Sequence, residues 1–170
     1  MSVGEDAPVG PLRVGILTVS DGVHAGVRED ASGRTIAEWV ARCGFEQTVR
    51  AVVPDEPDDI ARALMDWADE SLCDLLLTTG GTGLAERDRT PEATRSVLER
   101  EAPGIAETLR ARGRQSTPFA ALGRGVAGVR ARTLIVNLPG SPAGVEDGLE
   151  VLTGVAGHAV RLLQGDTQHD

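Results

Sequence analysis

The segment CDLLLTTGGTG, residues 73–83, restricts the fold more than any other part of the chain. Its first half is apolar on both faces. A strand with one face in water alternates apolar and polar residues, so a strand without a polar face must be covered on both sides. Crossover helices provide that cover for a parallel sheet. The segment therefore predicts a central strand in a helix-covered sheet. The glycines that follow end the strand and bring bare backbone to its carboxyl end.

The flanking sequence has the pieces such a sheet requires. LRVGILTVS, residues 12–20, and TLIVNLP, residues 133–139, are short β-branched runs that read as buried strands. FEQTVRAVVP, residues 45–54, reads as another, stopped by Pro54. Between them lie helical stripes. Ile36, Trp39, Val40 and Cys43 share one face, and Gly44 closes that helix. Ile60, Leu64 and Trp67 mark a second helix. Thr90-Pro91-Glu92 reads as a helix start, with Thr90 as N-cap, Pro91 in the first turn and Glu92 at the positive end of the dipole. Pro103 and Gly104 interrupt it, and a further helix is predicted over 105–112. A long final helix carries Val145, Leu149, Leu152, Ala156, Ala159 and Leu163 on one stripe. Strands alternating with helices predict an α/β sandwich around a mostly parallel sheet. The 170 residues suit one domain, read as 12–164, with flexible tails at 1–11 and 165–170.

Charge and cysteine usage narrow the function classes. The net charge of −9 argues against a protein that grips duplex nucleic acid, because that affinity comes from Lys and Arg on phosphates. It leaves room for a small anion in a locally positive pocket. Cys43 and Cys73 form no CxxC and stand near no histidine cluster, which predicts buried reduced thiols. MSVGEDAPVG lacks the apolar run of a signal peptide, and no stretch has the length of a membrane span. A cytoplasmic protein is the expectation. His24, His158 and His169 pair with no evident nucleophile.

In parallel sheets, ligands bind in the loops beyond the carboxyl ends of the strands. Here those loops are SDGVHAGVREDASG, PDEPDD, GGTGLAERDRT and PGSP. TTGGTG follows a strand and leads toward a helix, as a phosphate cradle does. It lacks the Gly-Lys-Ser/Thr of a P-loop, and Glu86 stands where a dinucleotide fingerprint needs its third glycine. GRGVAG, residues 123–128, matches that fingerprint literally but lies too near the next strand to open a helix. Asp21, Asp30, Asp55 and Asp88 fall in the edge loops, whereas Asp58 and Asp59 read as first-turn helix acids. Asp88 stands between Arg87 and Arg89, just before a fixed helix start. A carboxylate there could hold Mg²⁺ beside phosphates on the glycine loop, or serve only as an N-terminal helix acid.

Taken together, TTGGTG, RDRTPEAT and LIVNLPGSPAGV, with VSDGVHAGVREDASG and VVPDE in register, resemble the MoaB/MogA molybdopterin adenylyltransferase family, related to the gephyrin G domain. The resemblance runs from about Leu12 to Leu163. It implies a three-layer α/β/α sandwich, a homotrimer, and Mg²⁺-dependent transfer of AMP from ATP to the terminal phosphate of molybdopterin. It implies catalytic, metal-holding roles for Asp55 and Asp88. Substrate-binding roles are implied for Ser20, Asp21, Asp30 and Ser32, for Thr79, Gly80, Gly81, Thr82 and Gly83, and for Pro139, Gly140, Ser141 and Pro142. Partners implied are the pterin, the nucleotide and other cofactor-biosynthesis proteins. Many members read Leu-Ser-Arg where this chain has Leu122-Gly123-Arg124, so a serine hydroxyl of those relatives is missing here, which bears on pterin affinity or identity if that serine contacts the pterin in them. The alternatives are a catalytically silent molybdopterin-binding member of the same fold and a scaffold.

Overall fold

The structure is a computed structural model, and it describes residues 10–167. Its six strands are β1 (Arg13–Val19), β2 (Glu46–Val53), β3 (Leu75–Thr79), β4 (Arg100–Glu101), β5 (Ala127–Arg130) and β6 (Thr133–Leu138). The helices are α1 (Asp21–His24), α2 (Ala31–Arg42), α3 (Pro57–Asp69), α4 (Thr90–Val97), α5 (Pro103–Ser116) and α6 (Pro142–Leu163), and a 3₁₀ turn spans Pro118–Leu122. All six strands join in one sheet of order β2-β1-β3-β6-β5-β4. The first four run parallel, while β5 and β4 are antiparallel to their neighbours.

The two-faced apolar character of β3 is used as its sequence requires. Leu75 and Leu77 enter one core with Ile16, Leu134, Val136, the Ile36–Trp39–Val40 face of α2 and the stripe of α6. Leu76 points the other way, into a second core with Leu17, Ile135, Ile60, Leu64 and Trp67 of α3 and Val97 of α4. All five residues of β3 are buried. Each fully buried Leu contributes about 1.5–3 kcal/mol, so both helix layers are needed to hold this strand. The three-layer sandwich follows.

Several local expectations change. Thr90 begins α4 but does not cap it. Arg89 holds the N-cap position without a side-chain bond, because the Thr90 hydroxyl donates to Gly80 O at 2.9 Å. Pro103 starts α5 rather than merely breaking its predecessor, and the helix runs on to Ser116. Residues 127–130, inside the GRGVAG stretch and beyond it, form β5, which confirms that no helix opens there. Cys43 is only half-buried at the C-cap of α2, whereas Cys73 is 1% exposed. On α6, Val160 is buried, and Ala159 and Leu163 are only partly covered. Within the expected tails, residues 1–9 and 168–170, with His169, lie outside the described residues. Among the described residues, no helix is long and apolar enough to cross a membrane.

Candidate active site

The sheet order creates the site. From β1 the chain steps outward to β2, then returns past β1 to β3 and onward to β6. Loops leaving β1 and β3 therefore diverge, and a crevice opens between them. Gly80 makes this crossing possible. Its φ is +97°, and a Cβ there would stand 2.2 Å from the backbone oxygen of Val19. Gly81 follows with φ +70°, where a Cβ would meet Thr90 Oγ1 at 2.2 Å and Asp55 Oδ1 at 3.2 Å. The glycine loop is thus wedged between the Asp55 carboxylate and the first turn of α4.

Two cavities flank this loop. One, of about 500 Å³, is polar and is lined by Thr18, Ser20, Arg28, Ser32, Asp55, Thr79, Gly80 and Pro142. The other, of about 540 Å³, has an apolar wall of Leu109, Phe119, Ala120 and Leu122, with Thr82, Gly83, Pro139, Ser141 and Gly123 around it. Gly81, Asp88 and Gly140 line both. Of the residues singled out from sequence, all but Asp21 and Asp30 line one cavity or the other.

Backbone donors face the junction. Among the described residues, the amides of Gly81, Thr82 and Gly83 donate to no protein acceptor, nor do those of Gly140, Ser141 and Ala143. Ser141 caps α6 by accepting from Gly144 N at 3.1 Å, so the positive end of a 22-residue helix opens onto the apolar cavity. Thr79 fixes the two loops together, its hydroxyl donating to Pro139 O at 2.6 Å.

The acids divide by what already engages them. Asp30 caps α2 by accepting from Gly33 N, and also accepts from Thr18 Oγ1 and Arg50 Nη2. Asp21 and Asp55 exchange hydrogen bonds: Asp21 N donates to Asp55 Oδ2 at 2.8 Å, and Asp55 N to Asp21 Oδ1 at 3.0 Å. Arg87 then donates to both Asp21 oxygens and to Glu56. Asp21 and Asp30 are therefore occupied in holding loops. Asp55 and Asp88 each keep an oxygen free: among the described residues, neither Asp55 Oδ1 nor Asp88 Oδ1 accepts a hydrogen bond, whereas Asp88 Oδ2 accepts from Ala85 N at 3.0 Å.

Burial pushes the Asp55 carboxyl above the usual carboxylate range. The Asp21 N–H opposes this, and the charges of Asp21 and Asp88 add to the rise. The hydrogen-bonded Arg87 guanidinium, helped by Asp55 N–H, holds the Asp21 carboxyl below its ordinary value. A cation at the junction would relieve the repulsion on Asp55. Among the described residues there is no cluster of three or more His, Cys, Asp or Glu that could cage an ion. The two carboxylates with free oxygens are hard oxygen donors of the kind Mg²⁺ prefers, and by themselves they fill only part of its shell.

Sequence reasoning missed Arg28, which lines the polar cavity and has no ion-pair partner among the described residues. It also missed most of the wall formed by α5 and the 3₁₀ turn: of that wall only Leu122, beside Gly123, fell in a stretch the sequence singled out.

Residues 15–158 match a family model described as "Probable molybdopterin binding domain". The chain belongs to that family. Among other members of the molybdopterin-binding domain family, it is similar in structure to the molybdopterin biosynthesis enzyme MoaB of Thermus thermophilus. The two share 55% identity with a TM-score of 0.85, over 91% of this chain and 98% of that one. It is 39% identical over 157 residues to the molybdopterin adenylyltransferase of Helicobacter pylori strain J99, covering 91% of this chain and 89% of that protein. It is likewise 39% identical over 156 residues to the molybdenum cofactor synthesis protein cinnamon of Drosophila melanogaster, where the match takes 91% of this chain but 26% of the fly protein. The family fold and the observed three-layer sandwich agree.

Proposed function

We infer that this chain is a molybdopterin adenylyltransferase acting in molybdenum cofactor biosynthesis: it transfers AMP from ATP to the terminal phosphate of molybdopterin. A phosphate oxygen of the pterin attacks the α-phosphorus of ATP, the bond from that phosphorus to the bridging oxygen breaks, and pyrophosphate leaves. The observation that carries the reading is the meeting of two cavities at Gly81, Asp88 and Gly140. A two-substrate transfer needs such a junction. The apolar cavity suits a flat pterin, and the polar one suits a triphosphate.

The nucleophile is already an anion, so no strong base is needed, and none of the described histidines lines either cavity. The difficulty is to bring two polyanions together and to stabilise charge on the leaving group. The free amides of Gly81–Gly83 donate to phosphate oxygens without reorganising. Arg28 offers an uncommitted cation on the nucleotide side. Asp55 and Asp88 would hold Mg²⁺ through their free oxygens, and the ion would supply charge neutralisation. Wedging against α4 keeps the glycine loop in one geometry.

Retention of both Asp55 and Asp88 disfavours a silent or scaffold member. The same reading includes a homotrimeric assembly, a cytoplasmic setting and contact with other cofactor-biosynthesis proteins, as the sequence resemblance implies. Incubation with molybdopterin, ATP and Mg²⁺ should yield adenylylated pterin and pyrophosphate in equal amounts. Tight pterin binding without either product would refute the catalytic reading. Sedimentation equilibrium tests the assembly, and a monomer at micromolar concentration would refute it.

A further inference from the structure

We propose that Arg124 is a positioning residue that sets Asp88 against the glycine loop and ties that setting to the wall of the apolar cavity. The proposal rests on the adenylyltransferase reading above. Arg124 makes four contacts to one small region. Its backbone N donates to Thr82 O at 2.9 Å. Its Nε donates to Gly83 O at 2.8 Å, and its Nη2 to Asp88 O at 2.7 Å. Its Nη1 pairs with Glu92 on α4.

One guanidinium therefore grips both ends of the loop 83–88. Within that loop the remaining internal bonds are few: Ala85 N to Asp88 Oδ2 and Asp88 N to Ala85 O, both 3.0 Å. Residues 84–87 are exposed, and the Arg87 guanidinium is their side-chain anchor, to Asp21 and Glu56. Among the described residues, Arg124 is the one side chain that hydrogen-bonds both Gly83 O and Asp88 O, and so ties the two ends of the loop to each other. The direction of the Asp88 carboxylate follows from its own bond to Ala85 N and from a backbone that this fork holds against the glycine loop.

The residues on either side of Arg124, Gly123 and Gly125, border the apolar cavity. A ligand seated there presses on the same short segment that carries the fork. The planar, multi-donor guanidinium suits this role, because its donors leave in fixed directions toward carbonyls that do not themselves move. A lysine can keep the charge opposite Glu92 but cannot reproduce two fixed donor directions.

The test uses Arg124→Lys and Arg124→Gln, with Glu92→Gln as the control that removes only the ion pair. Two variants are carried so that misfolding of one, seen in a thermal melt, still leaves a result. Amide hydrogen exchange without ligand reads the loop. Exchange at Ala85 and Asp88 should quicken in the Arg124 variants, while β3 and β6 stay protected. With Mn²⁺ as spectroscopic probe and ATP present, metal affinity should fall. A displacement of about 1 Å can cost about a hundredfold in rate, so kcat should fall by about that factor with KM for molybdopterin within about twofold of wild type. Glu92→Gln should keep both near wild type. Unchanged exchange at Ala85 and Asp88, or loss of protection spread evenly through the core, would overturn the proposal, as would an unchanged kcat. If the wild-type protein makes no adenylylated pterin, the parent reading fails instead. The exchange experiment still decides the role of Arg124 in that case.

Discussion

Asp88→Asn separates catalysis from structure at the residue where both are in question. In the structure Asp88 has two tasks: Oδ2 accepts from Ala85 N at 3.0 Å, and Oδ1 is left free at the junction of the cavities. A hydrogen bond to a charged acceptor contributes about 1.5–3 kcal/mol, and the exposure of this loop points to the lower value. A neutral amide oxygen in the same position keeps roughly half of that, so the substitution should cost about 0.7 kcal/mol. For a chain of this size, 1 kcal/mol moves Tm by about 2–4 °C, giving a drop of about 1–3 °C. Asp88→Ala loses the whole bond and should drop Tm by about 3–6 °C. Loss of the Asp88 charge also removes one of the like charges acting on Asp55, which offsets part of either cost. Turnover should behave differently. Removing one charged group aimed at the transition state costs about 10²–10³ in kcat, and both variants should lose that much. The assay is a single-turnover measurement of adenylylated pterin beside a thermal melt. An Asp88→Asn enzyme within about fivefold of the wild-type rate, but less stable, would refute the metal-holding assignment and leave Asp88 as a loop acid.

Four further outcomes are expected. Arg28→Ala should raise KM for ATP by about tenfold, the value of one charge-assisted contact, and leave molybdopterin affinity unchanged in titration calorimetry. Gly123→Ser should fold, because Gly123 has φ −69° and a Cβ there lies 3.2 Å from Ala120 O, a tight but adjustable contact; it should change pterin affinity more than ATP affinity, and equal effects on both would sink the assignment of the apolar cavity. Arg87→Ala should raise the Asp21 pKa. The folded-state value of Asp21 is depressed, so its contribution is present above the unfolded-state pKa and is lost as pH falls through the folded value; carboxyl titration by NMR should show the variant losing it at a higher pH. Burial pushes the Cys73 thiol up to about 12, so iodoacetamide at pH 8 should label half-buried Cys43 and spare Cys73 until the chain unfolds.

The sheet was legible because its signals are one-dimensional. Leu75, Leu76 and Leu77 need cover on two sides whatever surrounds them, and Ile36, Trp39 and Val40 can share a face only on a helix. The glycine loop was legible for the same reason, since Gly80 and Gly81 take positive φ. What escaped depends on partners distant in sequence. The Thr90 hydroxyl suits an N-cap in isolation, but Gly80 O lies nearer in space. Asp21 and Asp30 carry the same charge and stand in the same kind of loop as Asp55 and Asp88. Only their engagement by Arg87, Arg50 and Thr18 distinguishes them. The short β4 and β5 were missed because two to four residues beside Gly and Arg leave no periodicity to read.

The division of the two cavities along the chain has a consequence for how this protein can change. Apart from the shared junction and Thr79 to Gly80 with Pro142, the polar cavity is built from residues 18–55, ahead of β3. The apolar wall comes from residues 106–123, one uninterrupted excursion between β3 and β6. Each cavity is thus built from its own stretch of chain. Recombination with crossover points near Arg100 and Arg130, both on short strands at the far side of the sheet, would exchange the apolar wall as a cassette while the residues ahead of β3 stay as they are. Residues of one cavity can change under mutation without revising the other, and, on the proposed function, a chimera made at those points is a direct route to altered pterin preference in an otherwise intact nucleotide site.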